Sequence, residues 1–394
     1  MSGNYWAIDE FQVGKTDRIR VAVKDLIDLG GYKTSAGSRV VLANATPAVR
    51  DALCMDSLRN KDIVIVGKAN LVELAFGTSG INPWFGTPIN PFGSELIPGG
   101  SSSGSAVAVA GHIADFALGT DTGGSIRIPA AACGLVGLKT TWSKISLQGV
   151  RALAPSLDTV GPIARTVEAI KIAQNYLDPA DVNESKISDE IRIGLVIDSQ
   201  PLEMTTVFRE LFSELGWKTS DISSLGLANA HERASRLLRS EAYFGNGSLL
   251  RESHRLDPFV ARRLLLARDE FNENSTFGDD WVVNWKRDLE AMFSNFDVLA
   301  LATVPYRIPK LSAANSVVLN ANTLPFNLSG NPAISIPISN DFMRGTLHKA
   351  QSPQGGSISS PVPVSLQLVG ALGSERTLIR IARLIEDQAY LYSW

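Results

Sequence analysis

Short apolar runs alternate with amphipathic segments through the first half of the chain. The segments IRVAV (19–23) and IVIV (63–66) are continuously apolar, as strands buried on both faces are. Between them, TPAVRDAL (46–53) places a threonine before a proline, which predicts a helix that begins at Thr46. A strand, a helix and a second strand in this order predict a sheet covered by helices.

Similar patterns continue to the end of the chain. Small residues fill SAVAVAG (105–111), as in a helix packed tightly inside a protein, and TVEAIKIAQNYL (166–177) has apolar residues at helical spacing. The segments IRIGLVI (191–197) and FDVLALA (296–302) have strand character. The last helix is predicted over about 375–388, where apolar residues share one face.

Three segments depart from this alternation. Residues 178–192 are polar and acidic and predict a surface connection, and QSPQGGSISSP (350–360) predicts a loop. Residues 205–290 carry more charge, a helical pattern and few turn residues, so we interpret them as a helical cap or insertion. Because predicted strands lie on both sides of this insertion, we expect one continuous α/β domain over 1–394.

Composition and charge narrow the class of protein. The 394 residues are 44% hydrophobic and 20% charged, and a net charge of −3 gives no sign of a nucleic-acid-binding surface. The N-terminus lacks the apolar core of a signal peptide, and no apolar run is long enough to span a membrane. We therefore expect a cytoplasmic globular protein, of a size typical of enzymes, with no nucleic-acid or membrane partner. Two cysteines and four scattered histidines show no metal-ligand spacing, so we expect no metal and no cofactor.

Two glycine–serine clusters, GGSSSGS (99–105) and GGS (123–125), are the most unusual feature of the sequence. A flexible linker is polar throughout, whereas both clusters adjoin apolar sequence. A phosphate-binding loop would need GxxxxGK[ST] or GxGxxG, and the sequence contains neither pattern. The clusters therefore favour a third role, in which the backbone approaches a reacting atom closely.

Two hydrolytic interpretations fit such a role. GSSSG (100–104) formally matches the GxSxG nucleophile elbow of α/β-hydrolases, but glycine–serine runs match it readily and the histidines further along lie in no triad-like context. In the other interpretation Lys24, directly after the strand 19–23, serves as a base, since lysine is rarely buried without a partner. Pairing with Asp25, or exposure to solvent, would also explain Lys24.

Several ordered motifs resemble the amidase signature family. They are AVKD (22–25), GKAN (67–70), GGSSSGSA (99–106), GTDTGGSIRIP (119–129), CGLVGLK (133–139), SLDTVGP (156–162), FNLSGNPAISIP (326–337) and PVSLQLVG (363–370). The resemblance is dense over about 19–175 and looser over 296–390. It implies a single α/β/α domain with a mixed central sheet, in which a signature core at 15–178 is completed by a C-terminal part at 296–390.

The resemblance also implies an amide hydrolase with a Ser–cis-Ser–Lys catalytic set. By motif, Ser125 is the nucleophile, Ser101 is the bridging serine after a cis peptide bond at Gly100, and Lys24 is the base. A serine hydroxyl needs a base to take its proton, and a lysine can act so near pH 7 only if its pKa falls by about 3 units. Ser125 would attack a small-molecule amide, release ammonia or an amine, and pass the acyl group to water.

The same motifs imply further site residues. The expected oxyanion donors are the backbone N–H groups of Thr122, Gly123, Gly124 and Ser125. The expected substrate-lining residues are Ala75, Phe76 and Gly77. The residues expected to brace the loops are Asp121, Arg127 and Asp158.

This sequence departs from the usual family motifs without losing a catalytic group. Ser103 stands where GGSSGGSA has glycine, Ala69 where GKTN has threonine, and Thr140 where GLKPT has proline. Only 23 residues precede Lys24, which favours the short soluble members of the family that resemble indole-acetamide amidases.

Three functions are compatible with the resemblance. The first is a free-standing amidase, and the second is the amidase subunit of a glutamine-dependent amidotransferase, which passes ammonia to a partner. The third is a non-catalytic amidase-like binding protein, against which the presence of Lys24, Ser101 and Ser125 argues. A homodimer is also compatible with the sequence, and the motifs do not specify which amide is the substrate.

Overall fold

The structure is a computed structural model that describes residues 4, 6–11, 17–58, 62–179, 190–223, 225–273, 279–349 and 362–388. Within these residues, eleven strands form one sheet. The strands are β1 (Trp6–Glu10), β2 (Ile19–Lys24), β3 (Ile63–Ala69), β4 (Phe116–Asp121), β5 (Val136–Lys139), β6 (Thr159–Ala164), β7 (Arg192–Val196), β8 (Lys218–Ile222), β9 (Val298–Ala302), β10 (Ala333–Pro337) and β11 (Ser365–Val369).

Helices connect most of these strands. They are α1 (Arg39–Asn44), α2 (Ser103–Ala110), α3 (Arg127–Ala132), α4 (Val167–Leu177), α5 (Leu202–Glu214), α6 (Leu227–Asn246), α7 (Pro258–Glu273), α8 (Asp280–Met292), α9 (Leu324–Ser329), α10 (Asn340–Lys349) and α11 (Glu375–Asp387). Short 3-10 helices lie at Leu53–Leu58, Glu73–Ala75, Gly247–Arg255 and Leu311–Ala313. None of the described helices combines the length and the apolar character needed to cross a membrane.

The sheet is mixed, in the order β1-β3-β2-β4-β6-β5-β10-β11-β9-β7-β8. β2 pairs in parallel with β3 and β4, and β7 pairs in parallel with β8 and β9. The pairs from β4 through β6, β5, β10 and β11 to β9 are antiparallel. Because β5 pairs with β10, strands from the last third of the chain extend the sheet that the first half begins. The predicted α/β fold with a central mixed sheet is confirmed.

Helices cover both faces of this sheet, as β9 illustrates. Val298, Ala300 and Ala302 face one core, which α4, α5 and α11 complete. Leu299 and Leu301 face a second core, which α6, α7, α8 and α9 complete. Because successive side chains of a strand point to opposite faces, a strand between two helical layers has no polar face. This explains the continuously apolar runs in the sequence.

The helix predicted from Thr46 is wrong. Ala48 instead forms an isolated parallel bridge with Gly30: its N–H donates to the Tyr32 carbonyl at 2.8 Å, and its carbonyl accepts from the Gly31 N–H at 2.8 Å. These long-range backbone hydrogen bonds hold the segment extended and outweigh its local helix signal. The helix between β2 and β3 is α1, which begins after Ser38, and a 3-10 helix follows at Leu53–Leu58.

The other predicted helices and strands lie close to their expected positions. The small-residue segment forms α2, every residue of which is buried. Thr166 caps α4 by accepting from the Ala169 N–H at 3.1 Å. The segments 191–197 and 296–302 contain β7 and β9, and the last helix is α11. The loop predicted at 350–360 lies outside the described residues, as does most of the connection predicted at 178–192.

The region 205–290 is only partly the predicted helical insertion. Most of α5 falls inside it and packs on the main core through Phe208 and Leu211. β8 follows as an edge strand whose sequence, KTSDI, is too polar to show a strand pattern. We call residues 227–273 and 279–292 the helical cap, because α6 and α7 contact each other there and α6 contacts α9 beside the second glycine–serine cluster.

Candidate active site

Lys24 ends β2 with its side chain fully buried. Its Nζ atom lies 2.8 Å from the Ser101 Oγ, 2.8 Å from the Thr120 Oγ1 and 3.4 Å from the Thr120 carbonyl oxygen. Thr120 belongs to β4, so the parallel pairing of β2 with β4 brings the two residues together. No carboxylate of the described residues forms an ion pair with Lys24.

This environment changes the basicity of the Lys24 amine. Burial lowers the pKa of Lys24 to about 7, although the charges of Asp121 and Asp158 act to raise it. Near neutral pH a large fraction of the amine is therefore unprotonated and able to accept a proton. The more ordinary explanations of Lys24 do not hold, because the amine is not exposed and Asp25 pairs with Lys68 at 2.8 Å.

Ser101 lies where the first glycine–serine cluster turns into α2. The peptide bond between Gly100 and Ser101 is cis, as the family resemblance implies. A Cβ at position 100 would lie 2.7 Å from the Gly80 nitrogen, so this close approach requires glycine. The Ser101 carbonyl accepts from the Val72 N–H at 3.1 Å. The loop is thereby fixed to the chain segment that follows β3.

Ser125 lies in the loop between β4 and α3 and is 4% exposed, so its position is nearly closed to solvent. Its carbonyl oxygen accepts from the Ser102 N–H at 3.2 Å. This bond joins the two glycine–serine clusters and places the backbone of Ser125 beside that of Ser101. The structure therefore brings Lys24, Ser101 and the Ser125 loop into one buried cluster.

The loop around Ser125 is held by the carboxylate of Asp121. Asp121 accepts from the Gly124 N–H at 2.7 Å and from the Ile126 N–H at 3.1 Å. The expectation that the Gly124 N–H points at an oxyanion is therefore wrong, because this N–H already donates to the Asp121 carboxylate. In the described part of the chain, the N–H groups of Thr122, Gly123 and Ser125, the other three expected donors, make no hydrogen bond. They remain as donors for a ligand oxygen.

A buried ion pair supports this arrangement. Arg127 Nη2 lies 2.9 Å from Asp121 Oδ1, and both side chains are fully buried. Arg127 also donates to Gln367 at 2.7 Å and to Asn327 at 2.6 Å. Although burial acts to raise the pKa of Asp121, the charge and hydrogen bonds of Arg127 hold it well below its usual range. The prediction that Asp121 and Arg127 brace the loop is confirmed.

Asp158 braces the same loop from the other side. Its Oδ1 accepts from the Thr122 hydroxyl at 2.5 Å, and its Oδ2 accepts from the N–H groups of Leu153 and Ala154 at 2.9 and 3.1 Å. Burial raises the pKa of Asp158 to about 6 against the effect of these donors. Thr122 is thus oriented by its side chain, and Asp158 is a brace, as predicted.

The segment predicted to line the substrate site lies against the helical cap. Ala75 has a φ of 58°, and the guanidinium carbon of Arg263 lies 4.3 Å from the centre of the Phe76 ring. A Cβ at Gly77 would lie 3.5 Å from the Phe259 ring. The residues at 75–77 therefore form a wall with the face of α7 that carries Phe259 and Arg263.

Other parts of the cap border the Ser125 loop. A Cβ at Gly123 would lie 3.1 Å from Leu324 Cδ1 and 3.7 Å from Leu238 Cδ1, which belong to α9 and α6. His231 Nε2, also on α6, lies 3.1 Å from the Asn320 side-chain oxygen. The sequence analysis did not identify Leu238, Leu324, His231 or Asn320 as residues that border the site. No local pattern distinguishes Thr120, His231, Asn320 or Arg263 from other polar residues, and the contact of Thr120 with Lys24 depends on the pairing of β2 with β4.

Neither a metal-binding cluster nor a readily ionised cysteine is found among the described residues. No group of three or more histidine, cysteine, aspartate or glutamate residues among them could hold a metal ion. Cys54 and Cys133 are buried, and burial raises the pKa of both thiols, that of Cys54 to about 12. Cys133 is thus a small buried residue, as predicted, with its Sγ 3.4 Å from the Pro98 carbonyl.

Comparisons with known proteins identify the family to which this chain belongs. The sequence profile of the amidase family matches residues 10–215. A subunit of the glutamyl-tRNA(Gln) amidotransferase of Natronomonas pharaonis is 32% identical over an alignment that covers 93% of this chain and 95% of that protein. The crystal structure of the corresponding subunit from Thermotoga maritima is 27% identical with a TM-score of 0.77, over 98% of this chain and 87% of that one. Kluyveromyces lactis allophanate hydrolase has the same fold, with a TM-score of 0.80 at 24% identity over 97% of this chain and 66% of its own.

The chain belongs to the amidase family. Like the members of its family and the relatives named above, it is an enzyme that acts on amide C–N bonds. The interpretation as a non-catalytic binding protein is therefore set aside.

Proposed function

We propose that this protein hydrolyses a small carboxylic amide to an acid and ammonia or an amine, through an acyl-enzyme on Ser125. The proposal rests on one observation above all. A fully buried lysine whose pKa is about 7 lies 2.8 Å from a serine hydroxyl, at the junction of the two glycine–serine clusters. A buried neutral amine beside a hydroxyl is a proton acceptor, which serine needs in order to become a nucleophile.

The proposed reaction begins with two linked proton transfers. Ser101 passes its proton to the Lys24 Nζ and takes the proton of Ser125, whose Oγ attacks the amide carbonyl. The N–H groups of Thr122, Gly123 and Ser125 are the donors available to the oxyanion, and one such donor contributes about 3 kcal/mol to the stability of the transition state. Asp121 and Asp158 keep these donors in place through the hydrogen bonds that they accept.

The intermediate then collapses. The C–N bond breaks while Lys24 returns its proton through Ser101 to the leaving nitrogen, which departs as ammonia or an amine. The same relay takes a proton from a water molecule, which attacks the ester on Ser125. As the ester C–O bond breaks and the acid departs, Lys24 returns that proton through Ser101 to the Ser125 Oγ. Lys24 is neutral again at the end of the cycle, so each turnover consumes one amide and one water.

The test compares Ser125→Ala with Ser103→Ala. Ser103 is a buried serine two positions from Ser101 and has no part in the proposed relay, so it is a matched control. Ammonia release would be measured on a panel that contains aliphatic amides, malonamide, benzamide, indole-acetamide and glutamine. We expect turnover to be lost in Ser125→Ala and kept in Ser103→Ala, with a folded protein in both cases. Undiminished turnover in Ser125→Ala would overturn the proposal.

The amidotransferase relatives support a second candidate function. In this alternative the chain would be the amidase subunit of a glutamine-dependent amidotransferase, and its ammonia would pass to a partner. The support is the name and coverage of the Natronomonas pharaonis and Staphylococcus aureus relatives, both of which are subunits of glutamyl-tRNA(Gln) amidotransferases. A strong preference for glutamine in the panel, together with a copurifying partner, would favour this alternative. Turnover of other amides by the isolated chain favours the free amidase.

The composition of the chain also supports a proposal about the cellular location and partners of the enzyme. We expect the enzyme to work in the cytoplasm without nucleic acid, membrane or metal, as a single chain or a homodimer. Cell fractionation and size-exclusion chromatography of the full-length protein test these points.

A further inference from the structure

Arg263 carries a charge without an acidic partner at the wall of the candidate site. It lies on α7 with its guanidinium carbon 4.3 Å from the centre of the Phe76 ring and 5.5 Å from that of Phe259. Within the described part of the chain, its guanidinium forms no ion pair and no hydrogen bond. Two aromatic faces are thus its recorded neighbours, and aromatic contacts leave the N–H donors of the fork unused.

The surroundings of Arg263 make this unusual. Arg127 is fully buried and has a carboxylate 2.9 Å from its guanidinium, whereas Arg263 keeps part of its surface exposed. A charge that loses part of its hydration is more stable beside an anion, because removing a charge from water without a partner is costly. Burial and the like charge of Arg239 lower the pKa of Arg263 to about 10, so the guanidinium stays charged at neutral pH. Arg239 itself is paired with Glu270 at 2.5 Å, whereas Arg263 has no anionic partner among the described residues.

Arg263 is connected to the catalytic cluster through a short segment of chain. The Val72 N–H donates to the Ser101 carbonyl at 3.1 Å, and the Ala75 N–H donates to the Val72 carbonyl at 2.8 Å. Phe76 follows directly, with its side chain 1% exposed beneath the guanidinium. A ligand that reaches the Ser125 loop along this wall would therefore meet Arg263 beyond Phe76.

We propose that Arg263 binds a carboxylate on the acyl portion of the substrate, so that the preferred substrates are half-amides of dicarboxylic acids. A planar guanidinium donates two parallel hydrogen bonds to a carboxylate, and an anion at this place supplies the missing partner. This inference names the substrate class for the hydrolysis proposed above and rests on that function.

Binding is tested first in the Ser125→Ala background, where no turnover occurs. Calorimetry would compare succinamate binding to Ser125→Ala alone and in combination with Arg263→Gln or with Arg262→Gln. Arg262 is the exposed neighbour on the same helix, so its variant makes the same change in net charge. We expect Arg263→Gln to weaken succinamate binding roughly tenfold to a hundredfold and Arg262→Gln to leave it unchanged. Equal affinities in all three proteins would overturn the inference.

Kinetics provide the second arm. For the otherwise wild-type enzyme we expect a higher kcat/KM for succinamate than for butanamide, its uncharged counterpart. The ratio of the two values should fall at least tenfold in Arg263→Gln and stay constant in Arg262→Gln. A wild-type ratio near one contradicts the inference. Arg263→Met, which keeps much of the apolar packing on Phe76, replaces Arg263→Gln if thermal denaturation shows that the latter is not folded.

The two proposals can fail separately. If Ser125-dependent hydrolysis of butanamide occurs while charged and neutral amides are treated alike, the carboxylate site is wrong and the hydrolysis stands. If no amide is hydrolysed but succinamate binds in an Arg263-dependent way, the anion site stands and the hydrolysis is wrong.

Discussion

The Nζ atom of Lys24 and the Oγ atom of Ser101 lie 2.8 Å apart, although 77 positions separate the two residues along the chain. Both side chains are fully buried. The other recorded partners of the amine are the hydroxyl and carbonyl of Thr120, and neither carries a charge. Since these partners are uncharged, only the more distant charges of Asp121 and Asp158 oppose the effect of burial on the amine. The pKa of Lys24 therefore falls to about 7.

The first prediction concerns the pH dependence of activity. Below about pH 7 the Lys24 amine is mostly protonated and cannot accept a proton from Ser101, whereas above it the amine is mostly neutral. We expect kcat/KM to rise about tenfold per pH unit well below pH 7 and to level off above it. A pH–rate profile on an amide that does not itself titrate measures this, and a profile falling with pH across this range contradicts the proposed role of Lys24.

Asp158→Asn should shift the pH–rate profile to lower pH. The charge of Asp158 acts to raise the pKa of Lys24, so removing it lowers that pKa further. The acid limb of the profile should then move to lower pH, even if the maximal rate falls because Thr122 and the neighbouring N–H groups lose their carboxylate. A shift to higher pH would show that the Asp158 charge does not act on the Lys24 amine. Arg209→Met, which removes a surface charge paired with Asp221, is the control and should leave the limb in place.

Arg127→Met should be strongly destabilising. It leaves the carboxylate of Asp121 fully buried without its ion partner, and breaking a buried pair in this way costs about 3–5 kcal/mol in the free energy of unfolding. Activity should fall as well, since Asp121 also holds the Gly124 and Ile126 N–H groups. Chemical denaturation measures the first effect. Removal of the half-exposed Arg209–Asp221 pair should cost less than about 1 kcal/mol, and equal losses in the two variants would refute the assigned role of Arg127.

Gly124→Ala and Gly123→Ala should differ although the residues are adjacent. Gly124 has a φ of 118°, and a Cβ there would collide with Thr323 and lie 2.7 Å from Ile128 Cδ1. A Cβ at Gly123 would lie 3.1 Å from Leu324 Cδ1, which a small side-chain movement relieves. We expect Gly124→Ala to lose activity and more than about 1 kcal/mol of stability, and Gly123→Ala to keep a stable fold. Thermal denaturation and ammonia release distinguish the two, and an unaffected Gly124→Ala would contradict the described loop conformation.

Ser103→Ala should stabilise the protein. Ser103 is buried at the start of α2, and its hydroxyl has no hydrogen-bond partner among the described residues. A buried polar group without a partner costs about 1–3 kcal/mol, and alanine also has the higher helix propensity. We expect a gain of about 1 kcal/mol in the free energy of unfolding, measured by denaturant titration, with amide hydrolysis unchanged. A loss of stability would mean that the Ser103 hydroxyl makes a contact that the structure does not record.

Much of the scaffold could be predicted because its signals are local. A strand buried on both faces must be apolar throughout, so 19–23 and 296–302 were predicted close to β2 and β9. Small residues at 105–111 and the cap at Thr166 likewise marked α2 and α4. The residues of the catalytic proposal, Lys24 among them, also came from local motifs, through their resemblance to the amidase signature family.

Tertiary structure decided what depends on partners distant in sequence. Backbone bonds to Gly31 and Tyr32 override the helix signal at Thr46, and pairing with β7 makes a strand of the polar segment KTSDI. The Gly124 N–H donates to a carboxylate because the fold places Asp121 beside it. The guanidinium of Arg263 lies over an aromatic ring because the fold places Phe76 beneath it. The sequence by itself therefore determined which groups could react, because chemistry is carried by residue type. The fold alone determined which of them are buried, paired or free, because those properties arise from contacts between segments far apart in the chain.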